Sequence, residues 1–289
     1  MGLLREAVAA LRGRARERGT HELVDVDLGF WERNGYYVVR DFFPPAATDA
    51  ILGAERAAWE RNAPDVVVDN LIYDFTTPRI RARIGELTAE QRRQRFVMND
   101  LFLHDVHCRT VATDPRLISI LRQLMGTEPV LWQSLNFTWG SNQGYHQDTL
   151  YLPPPNERDM VVIWVALEDI HPDSGPLKYI PGSHRIPEFR FSTGRLRVEP
   201  GEEGGWEKHI ADHRVAMGLE EHQLTARRGD VFFWHAFLVH GGSNIKDLNR
   251  TRKSFVAHYY AKDDLARTGA RVAHHNGGWW CERKPHAVG

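Results

Sequence analysis

Hydrophobic and polar positions recur with two different periods along this chain, and the change of period divides it. Near the start, Leu4, Val8 and Leu11 recur among arginines within residues 3–18, the spacing of an amphipathic surface helix. Leu28–Gly35 predicts a short helix closed by an Asn-Gly cap. Tyr36–Phe43 predicts a strand of β-branched and aromatic residues stopped by Pro44-Pro45, and Ala46–Asn62 a second amphipathic helix. Residues 78–95, with six arginines against two glutamates, predict an exposed helix and loop; the sharper expectation is a basic lid facing an anionic substrate. Asp114-Pro115 opens a helix that runs to Met125 and stops at Gly126.

From Val130 the period shortens to that of strands. Val130–Trp139 predicts a strand, Gly140–Gly144 a loop, and the next segment a strand carrying His146-Gln147-Asp148 that ends in Pro153-Pro154-Pro155. Met160–Leu167 is a near-continuous apolar run, hence a buried strand. Leu177–Ile180, Val231–His235 and Ser254–Tyr260 are further strands, with His240 on the next strand or its edge. Between them residues 185–225 change to Gly, Glu and Arg, with a helix near Trp206–Leu219; this reads as a lid-like insertion. The tail from His274 has no clear pattern, and His274-His275 reads as solvated. Many short strands with Gly/Pro turns, preceded by helices, argue for an all-β core with added helices: a double-sheet jelly roll flanked by N-terminal helices. One domain over residues 1–289 is expected, with residues 1–27 as a helical N-terminal extension.

Composition narrows the function. Lys and Arg number 37 against 38 Asp and Glu, a formal net charge of −1, which gives no electrostatic case for nucleic acid or an acidic membrane surface. No apolar run approaches a membrane span, and the N-terminus lacks a signal-peptide core. Cys108 and Cys281 lie far apart, so neither a disulfide framework nor a zinc knuckle is expected, and a reducing cytoplasm fits best.

Candidate chemistry centres on His146 and Asp148. On a strand, residues two apart point to one face, and a distant third ligand, His240, would complete two imidazoles and one carboxylate. That set suits a non-heme Fe(II) oxygenase with open coordination positions. With 15 histidines in the chain, satisfied core histidines are the bland alternative. A 2-oxoglutarate cosubstrate would need a buried cation for its far carboxylate, and guanidinium geometry suits that better than lysine. Arg252 is the choice, with Ser254 on the same strand face; Arg250, of the same parity, is the competitor. Of the other histidines, His184 is expected to stabilise its loop, while His235 and His258 lie on strands that could face the interior.

The run HQDTLYL, then WVALEDIHPDSGPLKYIPGSH, then GDVFFWHAFLVHGGSN and RTRKS, resembles the phytanoyl-CoA dioxygenase family of Fe(II)/2-oxoglutarate oxygenases. The resemblance covers most of the chain and implies a cupin-like double-stranded β-helix. It implies iron held by His146, Asp148 and His240, Arg252 anchoring 2-oxoglutarate, Trp164 packing beside it, and Gln133 as a polar contact to cosubstrate or substrate. Thr138 stands where relatives place a lysine, and Asn244 falls one position early, which loosens the alignment to Arg252. The implied reaction uses O2 to oxidise a small-molecule substrate, releasing succinate and CO2. In related halogenases a small residue replaces the carboxylate, so Asp148 favours hydroxylation, desaturation, cyclisation or epimerisation. A cupin-like divalent-metal enzyme without oxygen chemistry and an inactive binding module of the same fold are the rival classes; substrate and oligomeric state are not encoded legibly.

Overall fold

The computed structural model describes residues 25–72 and 77–285; the helix expected over residues 3–18 lies outside them. Helices α1 (Leu28–Asn34) and α2 (Pro45–Glu60) flank strand β1 (Tyr36–Val39). Gly35 ends α1 in the left-handed region at φ 72°, its N–H bonding to the Trp31 carbonyl at 2.8 Å, as the Asn-Gly pattern predicts. A side chain there would also strike the His184 ring, 2.3 Å from where a Cβ would sit.

Strands β2 (Val67–Asn70), β3 (Arg81–Arg83) and β4 (Phe96–Asn99) follow, then the short helices α3 (Leu101–His104) and α4 (Val106–Ala112). Helix α5 (Pro115–Met125) is capped by the Asp114 side chain and closed by Gly126, both as expected. The arginine-rich stretch is not a helix. It forms β3 and two 3-10 turns, Ile84–Glu86 and Gln91–Arg93. Ile80, Ala82 and Ile84 alternate inward while Arg79, Arg81 and Arg83 point out, a period of two that the arginine count obscured. These arginines have local partners: Arg81 pairs with Asp69 at 3.3 Å, Arg83 with Glu86 at 3.0 Å, and Arg92 caps the Ile84 carbonyl. The basic-lid expectation is thereby replaced by a sheet edge.

The remaining strands are β5 (Pro129–Phe137), β6 (Met160–Ala166), β7 (Leu177–Tyr179), β8 (His222–Gln223), β9 (Val231–His235), β10 (His240–Gly242), β11 (Ser254–Ala261), β12 (Arg271–His275) and β13 (Gly278–Glu282). Helix α6 (Glu203–Ala216) lies in the insertion, and α7 (Lys262–Arg267) follows β11. The larger sheet runs β1-β9-β6-β11-β5-β4-β2-β3, and the smaller β10-β7-β8. Together they make the two layers of a double-stranded β-helix. The tail is ordered: β12 and β13 form a hairpin, and β13 adds parallel to β5 with Trp279 opposite Val130. His275 is therefore not solvated tail, its Nε2 lying 2.8 Å from the Thr110 hydroxyl.

One apolar cluster fills the space between the larger sheet and the helices, among them Ile51, Leu117, Ile120, Ile163 and Phe233. A second fills the space between the sheets and includes Trp164, Val162, Phe232, Trp234 and Tyr260. The division follows strand parity: on β9, Phe232 and Trp234 face one layer and Phe233 the other. No helix among the described residues is long and apolar enough to cross a membrane.

His235 follows Trp234 and so faces the helices, not the sheet interior. It packs on Trp31 and His184, ring centroids 6.1 and 5.4 Å away, beside a cavity of about 300 Å³ that includes none of His146, Asp148 and His240. Burial lowers the pKa of His184 to about 4. Burial, helped by His184, lowers that of His235 to about 3. His235 Nδ1 accepts from the Phe237 N–H at 3.1 Å, a bond only an unprotonated nitrogen can make. The unfolded chain protonates such groups near pH ~6.5, so below that the unfolded state binds more protons and stability falls with pH. The unfolding temperature is expected to drop as pH is taken from ~6.5 towards 4. His235→Asn, which keeps the acceptor but does not titrate, should show a shallower drop in thermal melts; an identical slope would refute the assignment.

Candidate metal centre

Residues 146 and 240, far apart in sequence, are joined by backbone. The His146 N–H bonds to the His240 carbonyl at 2.9 Å, and the His240 N–H returns to the His146 carbonyl at 3.0 Å. Gly241 permits the approach, since a Cβ there would lie 2.8 Å from the Gly144 carbonyl oxygen. The strand expected over His146-Gln147-Asp148 is no more than this one bridge. Gln147 remains extended, which preserves the two-residue parity, and Asp148 then opens a 3-10 turn through Leu150.

The result is a tight cluster. His146, Asp148 and His240 each offer a ligand atom, and these atoms all lie within 4.8 Å of one another. Asp148 Oδ1 is 4.0 Å from His146 Nε2 and 3.8 Å from His240 Nε2. All three residues are buried, at 4–7% exposure. Each imidazole donates its Nδ1–H to the carbonyl two residues upstream, His146 to Gly144 at 2.9 Å and His240 to Leu238 at 3.0 Å. That fixes the tautomer, so both Nε2 lone pairs face the carboxylate. Three acceptors thus converge with little water to separate them, an arrangement that calls for a cation. The residues fit a divalent metal.

Electrostatics agree. Burial, then the His240 imidazole, lowers the pKa of His146 to about 4, so the ring is neutral and ready to ligate at neutral pH. Burial by itself would raise Asp148; the facing His240, His258 and His146 rings outweigh it and hold the carboxyl below the usual carboxylate range.

The larger sheet supplies the opposite wall. His258 on β11, 3% exposed, has its Nε2 3.7 Å from Asp148 Oδ1. Of the two strand histidines expected to face inward, it alone does. Directly across the sheet is Gln133 on β5. Gln133 Oε1, Trp164 Nε1 and Ser254 Oγ are buried without hydrogen-bond partners among the described residues. They line the layer that also holds Phe232 and Trp234, Trp164 pairing with Phe232 across β6 and β9. Arg252 is 3% exposed; its Nη1 donates to the Gly175 carbonyl at 3.1 Å and its guanidinium carbon lies 5.6 Å from the Phe137 ring centre. Arg250 is instead a surface residue, its side chain 46% exposed and ion-paired with Asp247 at 3.1 Å. Thr138 turns its hydroxyl to Glu55 of α2, away from this layer.

Three features escaped sequence reasoning. Trp234 Nε1 donates to Asp148 Oδ2 at 2.7 Å. Gln147, between the two ligands, donates to the Phe237 carbonyl at 2.8 Å and accepts from Trp206 Nε1 at 3.2 Å. The insertion is thereby tied to the ligand loop, where Glu221 also accepts from the Tyr145 hydroxyl and Ile186, Phe191 and Ile210 pack with Leu150 and Val239. Parity could have singled out His258, which shares that of Arg252 and Ser254. The tryptophan contacts span sequence distances that leave no local signal.

A two-layered β-helix with a buried cluster of two imidazoles and a carboxylate is the framework of the Fe(II)/2-oxoglutarate oxygenases. The sequence profile of the phytanoyl-CoA dioxygenase family matches residues 31–253, and the chain belongs to that family. The peroxisomal phytanoyl-CoA dioxygenase of Mus musculus is 23% identical over 252 residues, which cover 81% of this chain and 67% of that protein. Matched stretches therefore span about two thirds of such relatives. Among solved structures, the non-heme α-ketoglutarate-dependent carbocyclase SnoK from nogalamycin biosynthesis superposes with a TM-score of 0.62 at 17% identity, covering 90% of each chain. EctD from S. alaskensis, crystallised with 2-oxoglutarate and 5-hydroxyectoine, gives 0.59 at 20% identity, covering 90% of this chain and 82% of that one.

Gln147→Ala would leave the Phe237 carbonyl and the Trp206 indole without this partner. A loss of ~1–3 kcal/mol in urea unfolding is expected, the cost of stranding buried polar groups. Zinc affinity, measured by competition with a chelator, should fall with it because the residue separates the two ligands. Unchanged values of both would show that the glutamine bridge does not hold the ligand loop in place.

Proposed function

We propose that this protein is an Fe(II)- and 2-oxoglutarate-dependent dioxygenase that hydroxylates, or otherwise oxidises, a small-molecule substrate. His146, Asp148 and His240 hold the iron, and Arg252 anchors the far carboxylate of 2-oxoglutarate, with Ser254, Trp164 and Gln133 completing that wall. The single observation that carries this reading is the convergence of two Nε2 lone pairs and Asp148 Oδ1 in a buried site, both imidazole tautomers being fixed by backbone carbonyls. Family membership supports the choice of metal and cosubstrate. Burial favours Arg252 over Arg250 as the anchor. A carboxylate at 148 favours oxygen insertion or a related oxidation over halogenation. Carbocyclase and hydroxyectoine-bound neighbours leave the outcome of the oxidation to the substrate pocket, so hydroxylation is the default reading and cyclisation or epimerisation its variants.

Bound iron with 2-oxoglutarate and O2 would supply the oxidising power, with succinate and CO2 as coproducts. The chain's own part is positional. His146 and His240 present neutral nitrogens on one side, Asp148 adds the one anionic ligand, and the aromatic layer of Trp164, Phe232 and Trp234 keeps water out. Arg252 provides a charge-assisted, two-pronged contact for a carboxylate.

Anaerobic protein given Fe(II) and 2-oxoglutarate should develop the weak visible metal-to-ligand charge-transfer band. His146→Ala should abolish it. Arg252→Ala should weaken 2-oxoglutarate binding by about 30-fold or more, the equivalent of ~2 kcal/mol for truncating one partner of a buried charge pair. No band in the wild-type protein would sink the oxygenase reading and turn attention to a metal enzyme without oxygen chemistry or to a binding module.

A further inference from the structure

The two oxygens of Asp148 have different surroundings. Oδ2 accepts the Trp234 indole N–H at 2.7 Å. Oδ1 faces the imidazoles, with the Nε2 atoms of His258, His240 and His146 at 3.7, 3.8 and 4.0 Å. At 3.7 Å the His258 contact is beyond hydrogen-bond length. Trp234 has little freedom to let go. It is 2% exposed, sits opposite Val162 and Tyr36 in the sheet, and packs against His240 and Phe232 with ring centroids 4.9 and 5.7 Å away. An indole offers one donor and no acceptor, so this proton has a single destination.

We propose that Trp234 is a positioning residue that restricts Asp148 to one coordinating oxygen. The inference rests on the iron and 2-oxoglutarate reading above. A carboxylate that coordinates through both oxygens takes two positions. With two imidazoles that fills four of an octahedron's six, so the second carboxylate oxygen competes with the chelating cosubstrate for the open face and leaves none of it for O2. Holding Oδ2 in a charge-assisted hydrogen bond keeps the third open position available. Phenylalanine would fill most of the same space without the proton, and the proposal places the function in the N–H and not in the bulk of the ring.

The test uses Co(II) as the metal, because its visible absorption intensity reports coordination number, and titrates 2-oxoglutarate without oxygen. Trp234→Phe is expected to bind Co(II) as tightly as wild type or more tightly. Its Co(II) absorption should be weaker before cosubstrate is added, and 2-oxoglutarate affinity should fall by about 10-fold or more, the equivalent of ~1.4 kcal/mol. The same result is expected with 3-benzothienylalanine placed at position 234, which keeps the indole's shape and lacks the N–H; it secures the test if the phenylalanine variant folds poorly. Equal 2-oxoglutarate affinity in wild type and variants would overturn the proposal. A parallel loss of metal and cosubstrate would overturn it too, since that marks a purely structural role. If the wild type binds Co(II) but no 2-oxoglutarate, the oxygenase reading fails first and takes this inference with it.

Discussion

The paired backbone hydrogen bonds between His146 and His240 are the constraint on which the site depends. They lock a loop residue to the edge of the smaller sheet, and in doing so align two side chains that would otherwise be set by separate segments. Each ring then finds a backbone carbonyl two residues upstream for its Nδ1–H. The two bonds are equivalent in form and both leave Nε2 free. Ligand geometry is thus written into main-chain positions, which are held by the sheet, and needs no further side chain to orient the rings.

The remainder of the scaffold keeps that edge in place from two sides. The larger sheet closes over it with Trp164, Phe232, Trp234 and His258, and its own reverse face is buried by the helices. On the outer side, the insertion places Trp206 on Gln147 and packs Ile186, Phe191 and Ile210 with Leu150 and Val239. A carbonyl just before the third ligand, that of Phe237, receives the other end of the same Gln147 amide. Both ligand segments are therefore linked through one glutamine as well as through the backbone bridge.

What the sequence made legible was local or periodic. The Asn-Gly stop after α1, the Asp-Pro start of α5 and the apolar run of β6 depend on neighbours within a few residues, and each is found as expected. The ordered motifs around His146, Asp148 and His240 pointed to a cluster that the fold does assemble. Periodicity failed where another signal spoke louder. Six arginines hid the alternation of Ile80, Ala82 and Ile84, and the two-residue spacing of His146 and Asp148 was taken to mean a longer strand than exists. It also could not separate Arg250 from Arg252, which share parity; the two differ in burial, and the burial of Arg252 comes from Gly175 and Phe137 on other segments. The C-terminal hairpin is the extreme case, because parallel pairing of Trp279 with Val130 has no local cause.

Asp148 brings these strands of argument together. Removing a carboxylate from water favours its protonated form, and a protonated acid would be a poor metal ligand. The surrounding rings reverse that preference: His240, His258 and His146 together outweigh the burial penalty, and the carboxyl is held below its ordinary range. His146, by contrast, is pushed the other way by the same burial and stays neutral. The carboxylate is also held by the Trp234 indole N–H, which donates to its Oδ2. A site that keeps its carboxylate ionised and the His146 imidazole unprotonated is organised around a cation heavier than a proton, and the positions left around that cation are where selectivity for cosubstrate and substrate must be decided.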